Sequence, residues 1–427
     1  MRIRRSFLIL LALLPATAAC QAPLAATLSV TTGDRFGGML VASKAGAPRV
    51  NVGVSGMSTA QAADLGKRHG LVLVRHLGAL GLATYRVDGA DADDLQALSN
   101  QPGVRYVERD VAGRVSDPAP DSSRAIPNDP GFDDQWDLQR MNVADAWEIR
   151  EGASDAVIAV LDTGCDLAHP ELSPKLVSGH NVSDPSRAPQ DDLGHGTAVA
   201  GIALAATHNG EGLAGVAPNA RLMPVKVNVA NSGAVRAADA AAGIVWAVDH
   251  GASVLNMSLG FTEGEDGLTS SGLQALKDAV GYALERSVAV VTAAGNIGDR
   301  PVKTYPACWS VEPGFEGLIA VGALDRDDRR AGYSNYGTFV TVTAPADDVP
   351  ALTIGGYGRF GGTSAAAPHV SGLLALLIHP SRPPSAKTLR KWIASSARDL
   401  GVTGVDPQYG AGCVDALAAI QTSTRKP

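Results

Sequence analysis

From about residue 128 onward, short apolar runs that predict strands alternate with longer runs that predict helices. The run at 156–161 contains no polar residue, which is typical of a parallel strand covered on both faces. This alternation predicts an α/β fold with a doubly wound, mostly parallel sheet flanked by helices and a functional site beyond the carboxyl ends of its strands. Further strands are predicted at 222–227, 253–258, 288–292, 318–322 and 339–342, and helices at 195–206, 237–250, 273–286, after Ser364, 385–397 and 416–420.

A separate small unit is predicted ahead of this region. Over residues 51–115 the pattern is helix, two strands, helix and strand, which predicts a small α+β domain. Residues 116–127 are rich in Pro, Asp and Ser and therefore predict an exposed junction. The main domain then spans 128–421, followed by a short tail at 422–427.

The first 20 residues have the composition of an export signal. Three arginines precede an apolar run, and small residues follow it up to Cys20. Such a segment is too short to remain as a membrane-spanning helix. Cys20 resembles a bacterial lipoprotein cleavage site, which would give the precursor a transient lipid anchor; ordinary signal cleavage next to Ala18 or Ala19 is the alternative. We therefore expect export, either as a secreted protein or as a cell-envelope lipoprotein precursor, with residues 21–50 forming a linker rich in small residues.

Charge and cysteine content exclude some classes of partner. The formal net charge is -7, so no nucleic-acid partner is expected. The spacing of the four cysteines, Cys20, Cys165, Cys308 and Cys413, shows no metal-ligand clustering.

Four residues with potentially catalytic side chains fall at junctions between predicted elements. Asp162 and Asn296 each follow a buried strand, while His195 and Ser364 each stand at the start of a predicted helix. Pro368 is expected in the first turn of the helix after Ser364. Any one of these residues alone would be explained as a turn or capping residue. A hydroxyl nucleophile needs a base, an acid that fixes the base's tautomer, and donors for an oxyanion, and these residues supply each role once.

Three blocks around these residues, at 160–164, 194–197 and 361–370, resemble the active-site blocks of the subtilisin-like serine peptidases, the subtilase family. The chain order Asp, His, Ser is also that of subtilisin. The resemblance covers about residues 128–420. It implies a serine endopeptidase in which Ser364 attacks a peptide carbonyl, His195 transfers the proton and Asp162 orients His195. The oxyanion would be bound by Asn296 and the Ser364 backbone N–H.

The resemblance also implies where substrate binds. An extended protein or peptide substrate would pair with two strand edges and place one side chain in a pocket between two walls. The unit at 51–115 resembles the family's prosegment, an intramolecular inhibitor and folding chaperone removed by autocleavage, and we expect the enzyme to be a monomer. The implied substrate-binding residues are Ser258, Leu259, Gly260, Gly233, Ala293, Ala294 and Gly295.

A calcium site is implied by similarity to the thermitase-like members of the family. Oxygen ligands from Asp129, Glu171, Asn209 and Glu211, together with carbonyls of the loop 207–213, fit the preference of Ca²⁺. The alternative is a loop of ordinary turn residues.

Two other classes of protein remain as alternatives. One is a catalytically silent subtilase fold used for binding, against which the four intact site residues argue. The other is an α/β-hydrolase esterase, but that class needs a Gly-x-Ser-x-Gly elbow and the order Ser, Asp, His. Within the resemblance, Ala365 stands where the family commonly has methionine, and Ala198 where a second histidine is usual; neither is a catalytic position.

Overall fold

A computed structural model describes residues 48–110, 112–115, 131–264, 268–298, 301–379, 381 and 383–424. The predicted signal peptide with Cys20, nearly all of the predicted linker, the junction 116–127, Asp129 and the last three residues of the tail lie outside this part of the chain.

The strands, in chain order, are β1 (Arg49–Val54), β2 (Leu71–Leu77), β3 (Leu82–Val87), β4 (Val104–Arg109), β5 (Ala112–Val115), β6 (Val157–Asp162), β7 (His180–Asn181), β8 (Arg221–Lys226), β9 (Ala234–Arg236), β10 (Val254–Met257), β11 (Leu259–Thr262), β12 (Ala289–Ala293), β13 (Thr304–Tyr305), β14 (Leu318–Leu324), β15 (Val342–Pro345), β16 (Val349–Thr353) and β17 (Gly356–Phe360).

The α-helices are α1 (Thr59–Arg68), α2 (Ala92–Ser99), α3 (Gly131–Asp134), α4 (Trp136–Arg140), α5 (Val143–Trp147), α6 (His195–Leu204), α7 (Ala237–Asp249), α8 (Gln274–Glu285), α9 (Thr363–Leu377), α10 (Ala386–Ser396) and α11 (Ala416–Thr424). Short 3₁₀ helices lie at Ser173–Lys175, Ser270–Leu273 and Ala307–Val311.

A seven-stranded sheet forms the centre of the main domain. Its strand order is β15-β14-β12-β10-β6-β8-β7, and every neighbouring pair is parallel. Successive β6 residues join different cores: Ile158 and Val160 pack with α6 and α9, whereas Ala159 and Leu161 pack with α7 and α8. Helices therefore cover both faces, which explains the uninterrupted apolar strands. The predicted fold class is confirmed.

Helix α9 passes through the interior of the main domain. All of its residues are buried, including those in the run that follows Ser364, and a helix that is apolar on all sides belongs in a core. It crosses α6 closely at Gly372, where a Cβ would lie 2.7 Å from the Ala203 carbonyl oxygen. The small residue thus permits the contact that holds Ser364 and His195 on packed, rigid elements.

The strand predicted at 339–342 is wrong in position. The structure places β15 at Val342–Pro345, while Val340 donates its N–H to the Gly337 carbonyl in a turn. Phe339 and Val340 are nevertheless buried against Ala294 and Ala320. An apolar run signals burial, but burial can be met by a turn as well as by a strand.

The N-terminal unit, residues 49–109, is a separate antiparallel sheet with two helices. Its strand order is β2-β3-β1-β4, and α1 and α2 each begin with a capping box, at Ser58 and Asp91. The predicted α+β character is confirmed, although the sequence patterns do not reveal β1. Among the described residues, no helix combines the length and the apolar character needed to cross a membrane.

Candidate active site

Asp162 and His195 meet at the carboxyl end of the central strand β6. Asp162 is the last residue of β6, and His195 is the first residue of α6. The His195 Nδ1 atom lies 2.7 Å from Asp162 Oδ1, and both residues are almost completely buried. Since the carboxylate accepts the Nδ1 proton, Nε2 is left as the acceptor. In the described part of the chain, that Nε2 atom is buried and has no hydrogen-bond partner.

Ser364 is the second residue of α9, and the helix begins directly after Gly362, which adopts a positive φ of 83°. Its Oγ donates to the Ser258 carbonyl at 3.3 Å, and the Ser258 Oγ donates to the Ser364 carbonyl at 2.9 Å. The predicted position of Pro368 in the first helical turn is wrong, because it is the sixth residue of α9. Proline has no N–H to donate to the carbonyl four residues earlier, so the Ser364 carbonyl is available to Ser258.

Asn296 follows β12 and contacts the residues just before Ser364. Its Oδ1 accepts from the Thr363 N–H at 2.9 Å and from the Thr363 hydroxyl at 2.8 Å. A Cβ on Gly362 would lie 3.0 Å from Asn296 Nδ2, so the glycine gives the amide nitrogen space beside the start of α9. The donor end of Asn296 is thereby held near the backbone that carries Ser364.

The model of the subtilase family matches residues 153–412 of the sequence, which include all four of these residues. The chain belongs to the subtilase family.

Sequence relatives agree with this assignment. The chain is 39% identical over 300 residues to thermitase of Thermoactinomyces vulgaris, an alignment that covers 69% of this chain and 99% of thermitase. It is 38% identical over 319 residues to a thermophilic serine proteinase of a Bacillus species, covering 74% of this chain and 73% of that protein. This subtilase is a serine endopeptidase.

Among solved structures, fervidolysin of Fervidobacterium pennivorans, a keratinolytic enzyme related to subtilisin, superposes with a TM-score of 0.72 at 29% identity. The superposition covers 87% of this chain and 60% of fervidolysin, so the likeness does not extend over the whole of that larger enzyme.

Asp191, which the sequence analysis did not single out, joins the strand that ends at Asp162 to the helix that begins at His195. Its Oδ1 accepts the Thr163 hydroxyl at 2.7 Å and the Gly194 N–H at 2.9 Å, and its Oδ2 accepts the Thr197 N–H at 2.9 Å. Burial pushes the pKa of Asp191 upward, but these hydrogen bonds outweigh it, and the pKa is lowered. An acid four residues before a histidine at a helix start is the sequence signal that could have indicated this role.

The predicted substrate-binding residues lie along two strand edges. Ser258 precedes β11, which contains Leu259 and Gly260, and Gly233 directly precedes β9. Strand β5 lies between these edges: Gly260 pairs with Arg114 on one side, and Val235 pairs with Gly113 on the other. The chain's own segment thus occupies the groove between the two edges.

The third group of predicted substrate-binding residues ends β12 and turns away from it. Ala293 is the last residue of β12, the Ala294 N–H bonds to the Val321 carbonyl, and Gly295 has a φ of 103°. The Gly295 carbonyl accepts the Asn335 N–H at 2.8 Å. This turn packs against Thr304: a Cβ on Gly295 would lie 2.9 Å from Thr304 Oγ1.

Two of the predicted calcium ligands lie together in the described part of the chain. Glu171 is buried, and its carboxylate accepts the Asn209 amide at 3.0 Å, the Tyr357 hydroxyl at 3.1 Å and the Leu213 N–H at 3.3 Å. Burial raises the pKa of Glu171. The Glu211 side chain is exposed, and its backbone N–H donates to Asn209 Oδ1. Asp129 lies outside the described residues.

Proposed function

We propose that this subtilase hydrolyses peptide bonds through an acyl-enzyme with Asp162, His195 and Ser364 as its triad. The observation that carries the proposal is the His195 imidazole, which is fixed by Asp162 at Nδ1 and has a buried, unpartnered Nε2 among the described residues. Such a nitrogen can accept the proton of a serine hydroxyl.

In the proposed first step, the Ser364 hydroxyl exchanges its bond to the Ser258 carbonyl for one to His195 Nε2. Catalytic hydrogen bonds of this kind often tighten only when substrate is bound. Ser364 Oγ attacks the peptide carbonyl carbon as its proton passes to His195, and the oxyanion is stabilised by Asn296 Nδ2 and the Ser364 N–H. His195 then protonates the leaving amine, and water hydrolyses the acyl-enzyme by the reverse route.

An extended substrate would add a strand between β9 and β11, by β-augmentation. Strand β5 supports this proposal, since it pairs with both edges in an antiparallel arrangement. Leu259 pairs with Val115 in that register, so the chain leaves the groove at the predicted junction 116–127. We therefore propose that maturation cleaves the chain within this junction.

The N-terminal unit would act as an intramolecular inhibitor, and its contacts with α7 and α8 support that role. The Glu108 carboxylate accepts the N–H groups of Gln274 and Ala275 at 2.8 and 3.0 Å, at the start of α8. The Asp110 carboxylate accepts the Ala238 N–H at 3.1 Å, in the first turn of α7. Two carboxylates two residues apart thus cap two helices of the peptidase domain, where the helix dipoles favour negative charge.

A third contact anchors the opposite side of the N-terminal unit. Arg75 Nη1 lies 2.8 Å from Asp239 Oδ1, and its other amino group donates to the Val182 carbonyl at 3.0 Å. Both side chains are largely buried. The unit would therefore hold β5 in the substrate groove until cleavage and release.

Replacement of the proposed nucleophile tests this maturation. The Ser364→Ala variant is expected to accumulate as a precursor that is uncut in the junction 116–127, whereas Ser371→Ala, on the same helix, should be processed normally. Both products are examined by N-terminal sequencing and intact mass after purification from a protease-deficient host. Cleavage of Ser364→Ala at the wild-type bond would exclude self-processing, and loss of casein hydrolysis in both variants would indicate a folding defect.

The export signal and the calcium site are proposed on different grounds. Residues 1–20 support secretion, with lipidation of Cys20 as the alternative, and intact mass of the exported protein distinguishes them. For calcium, the fit rests on the buried Glu171 carboxylate and the loop that curls around it: a Cβ on Gly212 would lie 2.0 Å from Glu171 Oε1.

The ion would be held by Glu171, by Asn209 and Glu211 of the loop, and by Asp129. It would stabilise the folded state of the protein. A ligand that binds only the folded state raises the melting temperature. Chelator should therefore lower the melting temperature of wild type but not of Asp129→Ala, while Asp133→Ala, which alters a nearby exposed carboxylate, should keep the calcium response. A wild-type melting temperature insensitive to calcium and chelator would rule the site out.

A further inference from the structure

Asp192 holds the turn that leads into the edge strand β9. Its Oδ2 accepts the Asn231 N–H at 2.7 Å, and its Oδ1 accepts the Asn228 amide at 3.2 Å. The Asn228 amide also donates to the Ser232 carbonyl at 2.9 Å, across the same turn. Asn231 has a φ of 54°, a left-handed conformation that asparagine adopts more readily than most residues. These bonds fix the turn immediately before Gly233, where the predicted substrate-pairing edge begins.

The same carboxylate is paired with a buried cation. Lys226 Nζ lies 2.8 Å from Asp192 Oδ1, and the Lys226 side chain is 6% exposed, against 21% for Asp192. The Lys226 ammonium also donates to the Thr163 carbonyl at 2.6 Å. A buried ammonium is unfavourable unless it is paired and hydrogen-bonded, so these contacts hold Lys226 and Asp192 in one arrangement.

Lys226 connects the turn to the proposed catalytic pair. It is the last residue of β8, and in the parallel register of β8 and β6 it lies beside Asp162. The carbonyl that it binds belongs to Thr163, whose N–H donates to Asp162 Oδ1 at 2.7 Å. Asp192 lies three residues before His195 in the chain. One ion pair therefore contacts the segments next to both proposed catalytic residues and the turn that begins one wall of the groove.

We propose that Asp192 is a positioning residue, which together with Lys226 fixes the substrate-pairing edge at β9 relative to the proposed catalytic pair. The inference rests on the proposed function, in which the residues that precede the scissile bond pair with β9. Strand β5 supports this geometry, because its Gly113 pairs with Val235 on that edge. Main-chain hydrogen bonds give an added strand much of its affinity. Loss of the Asp192 carboxylate would release the turn and weaken those bonds.

The test compares two substrates that end in the same amino acid, a tetrapeptide p-nitroanilide and the p-nitrophenyl ester of an acetylated single residue. Only the tetrapeptide is long enough to pair with β9. Asp192→Ala should raise KM for the tetrapeptide by about tenfold, as expected when one or two hydrogen bonds to substrate are weakened, with a smaller effect on kcat. The kcat/KM for the short ester should stay close to that of wild type. Rates are expressed per active site, titrated with a serine-directed organophosphonate.

Three further variants separate positioning from stability. Asp192→Asn has the same size and keeps one acceptor oxygen, so it should raise KM by a smaller factor, and it serves as the test if Asp192→Ala does not fold. Asp184→Ala is the matched control, because it removes a carboxylate that accepts the Ser186 hydroxyl at 2.6 Å in the loop after β7, and it should leave both substrates unaffected. Because Asp192 and Lys226 act as one unit, adding Lys226→Met to Asp192→Ala should raise KM for the tetrapeptide by less than the product of the two single effects.

Equal losses of kcat/KM on both substrates in Asp192→Ala would show that Asp192 supports the fold and not the edge, and would overturn the proposal. An unchanged KM for the tetrapeptide would overturn it as well, and independent effects in the double variant would reject the role of Lys226. Failure of the proposed function has a different outcome: wild type would hydrolyse neither substrate and would not be labelled at Ser364 by the organophosphonate. That outcome would also reject the inference that rests on it.

Discussion

Two buried histidine–aspartate pairs lie in the main domain, and their ring nitrogens have different partners. His195 contacts Asp162 through Nδ1 at 2.7 Å, and its Nε2 has no partner among the described residues. His369 contacts Asp137 through Nε2 at 2.8 Å, and its Nδ1 lies 2.8 Å from the Ala365 carbonyl oxygen. All four side chains are almost fully buried.

This difference separates the proposed base, His195, from a structural pair. A carbonyl oxygen can only accept, so His369 must carry a proton on Nδ1, and its other nitrogen is already bonded to Asp137. His369 therefore has no nitrogen left to accept a proton from a substrate or a serine. Its contacts instead connect α4 to the first turns of α9, immediately after Ser364. Burial beside an acid does not by itself indicate catalysis; the unpartnered acceptor nitrogen does.

The largest predicted effect follows from replacing the acid in each pair. Asp162→Asn should lower kcat by about 10⁴-fold, because an amide can donate to Nδ1 and stabilise the wrong tautomer. Asp137→Asn should lower kcat by less than about tenfold, but should lower the melting temperature because it disturbs a buried pair. Initial-rate assays with a peptide substrate measure kcat, and thermal melts of the same purified variants measure stability.

Similar losses of kcat in Asp162→Asn and Asp137→Asn would contradict the distinction between the two histidine pairs. His369→Gln provides the control, since it alters the other member of the structural pair and should resemble Asp137→Asn in both assays. If either variant lost activity as severely as Asp162→Asn while melting like wild type, the His369 pair would have a catalytic role.

A smaller effect is expected at Asp191, which would position the proposed catalytic pair, Asp162 and His195, from outside it. Asp191→Asn removes one of the acceptor oxygens that join Thr163 to the start of α6, and should lower kcat by about 10–100-fold with little change in KM. Asp166→Asn is the matched control, because Asp166 is also buried and accepts the N–H groups of Ala168 and Gly355. Equal loss of kcat in both variants would show that Asp191 contributes stability and not alignment.

The parts of the site that could be predicted from sequence are those with a local signal. Asp162, His195, Asn296 and Ser364 each stand at the end of a recognisable strand or the start of a recognisable helix. Glu108 has no such signal, because its contact depends on a helix that is distant in sequence. Its carboxylate caps α8 only once β4 lies against that helix.

The main sheet was predictable for the same reason, since each buried strand is a continuous apolar run. The error at 339–342 shows the limit: Phe339 and Val340 satisfy the apolar pattern, but tertiary packing places them in a buried turn. The position of Pro368 could not be predicted from its neighbours in sequence either. Inside α9, Pro368 leaves the Ser364 carbonyl without a helical donor, and Ser258, a residue distant in sequence, donates to that carbonyl instead.

A several-fold effect of pH is predicted for release of the N-terminal unit. Burial outweighs the helix N–H groups that these carboxylates accept, and it raises the pKa of Glu108 to about 8 and that of Asp110 to about 6. Docked carboxyls thus bind protons more tightly than free ones, so docking is most favourable below the ordinary carboxyl pKa and weakens as the pH rises through about 8. Activity after cleavage should therefore emerge faster at pH 8.5 than at pH 6.

The variant Glu108→Gln tests the source of this dependence, because its side chain does not titrate and should flatten the profile above pH 6. Asp88→Asn changes an exposed acid of the same unit and should keep the wild-type profile. Activity is followed over time from pH 5.5 to 9 with the cleaved, still inhibited enzyme. Faster release at low pH in wild type would show that the sign is wrong.

The smallest change in activity before oxidation is predicted for replacement of Ala365, which lies between Ser364 and the His369 pair. It follows Ser364, and its carbonyl holds His369. Methionine at this position, usual in the family pattern, can be oxidised to a bulkier polar sulfoxide. Wild type should therefore keep most of its activity in dilute hydrogen peroxide. Two oxidisable side chains near the site, Met257 and Cys165, are buried, and burial raises the pKa of the Cys165 thiol, which disfavours the reactive thiolate.

Ala365→Met should have unoxidised activity within about tenfold of wild type, with some loss of stability because position 365 is fully buried and has little room for added atoms. Peroxide should then inactivate Ala365→Met faster than wild type. Ala365→Leu controls for size, since it adds similar bulk without sulfur and should stay resistant. The three proteins are incubated side by side and assayed with one peptide substrate. If wild type, Ala365→Leu and Ala365→Met lost activity at the same rate, oxidation at another residue would control inactivation, and the absence of sulfur beside Ser364 would give no protection.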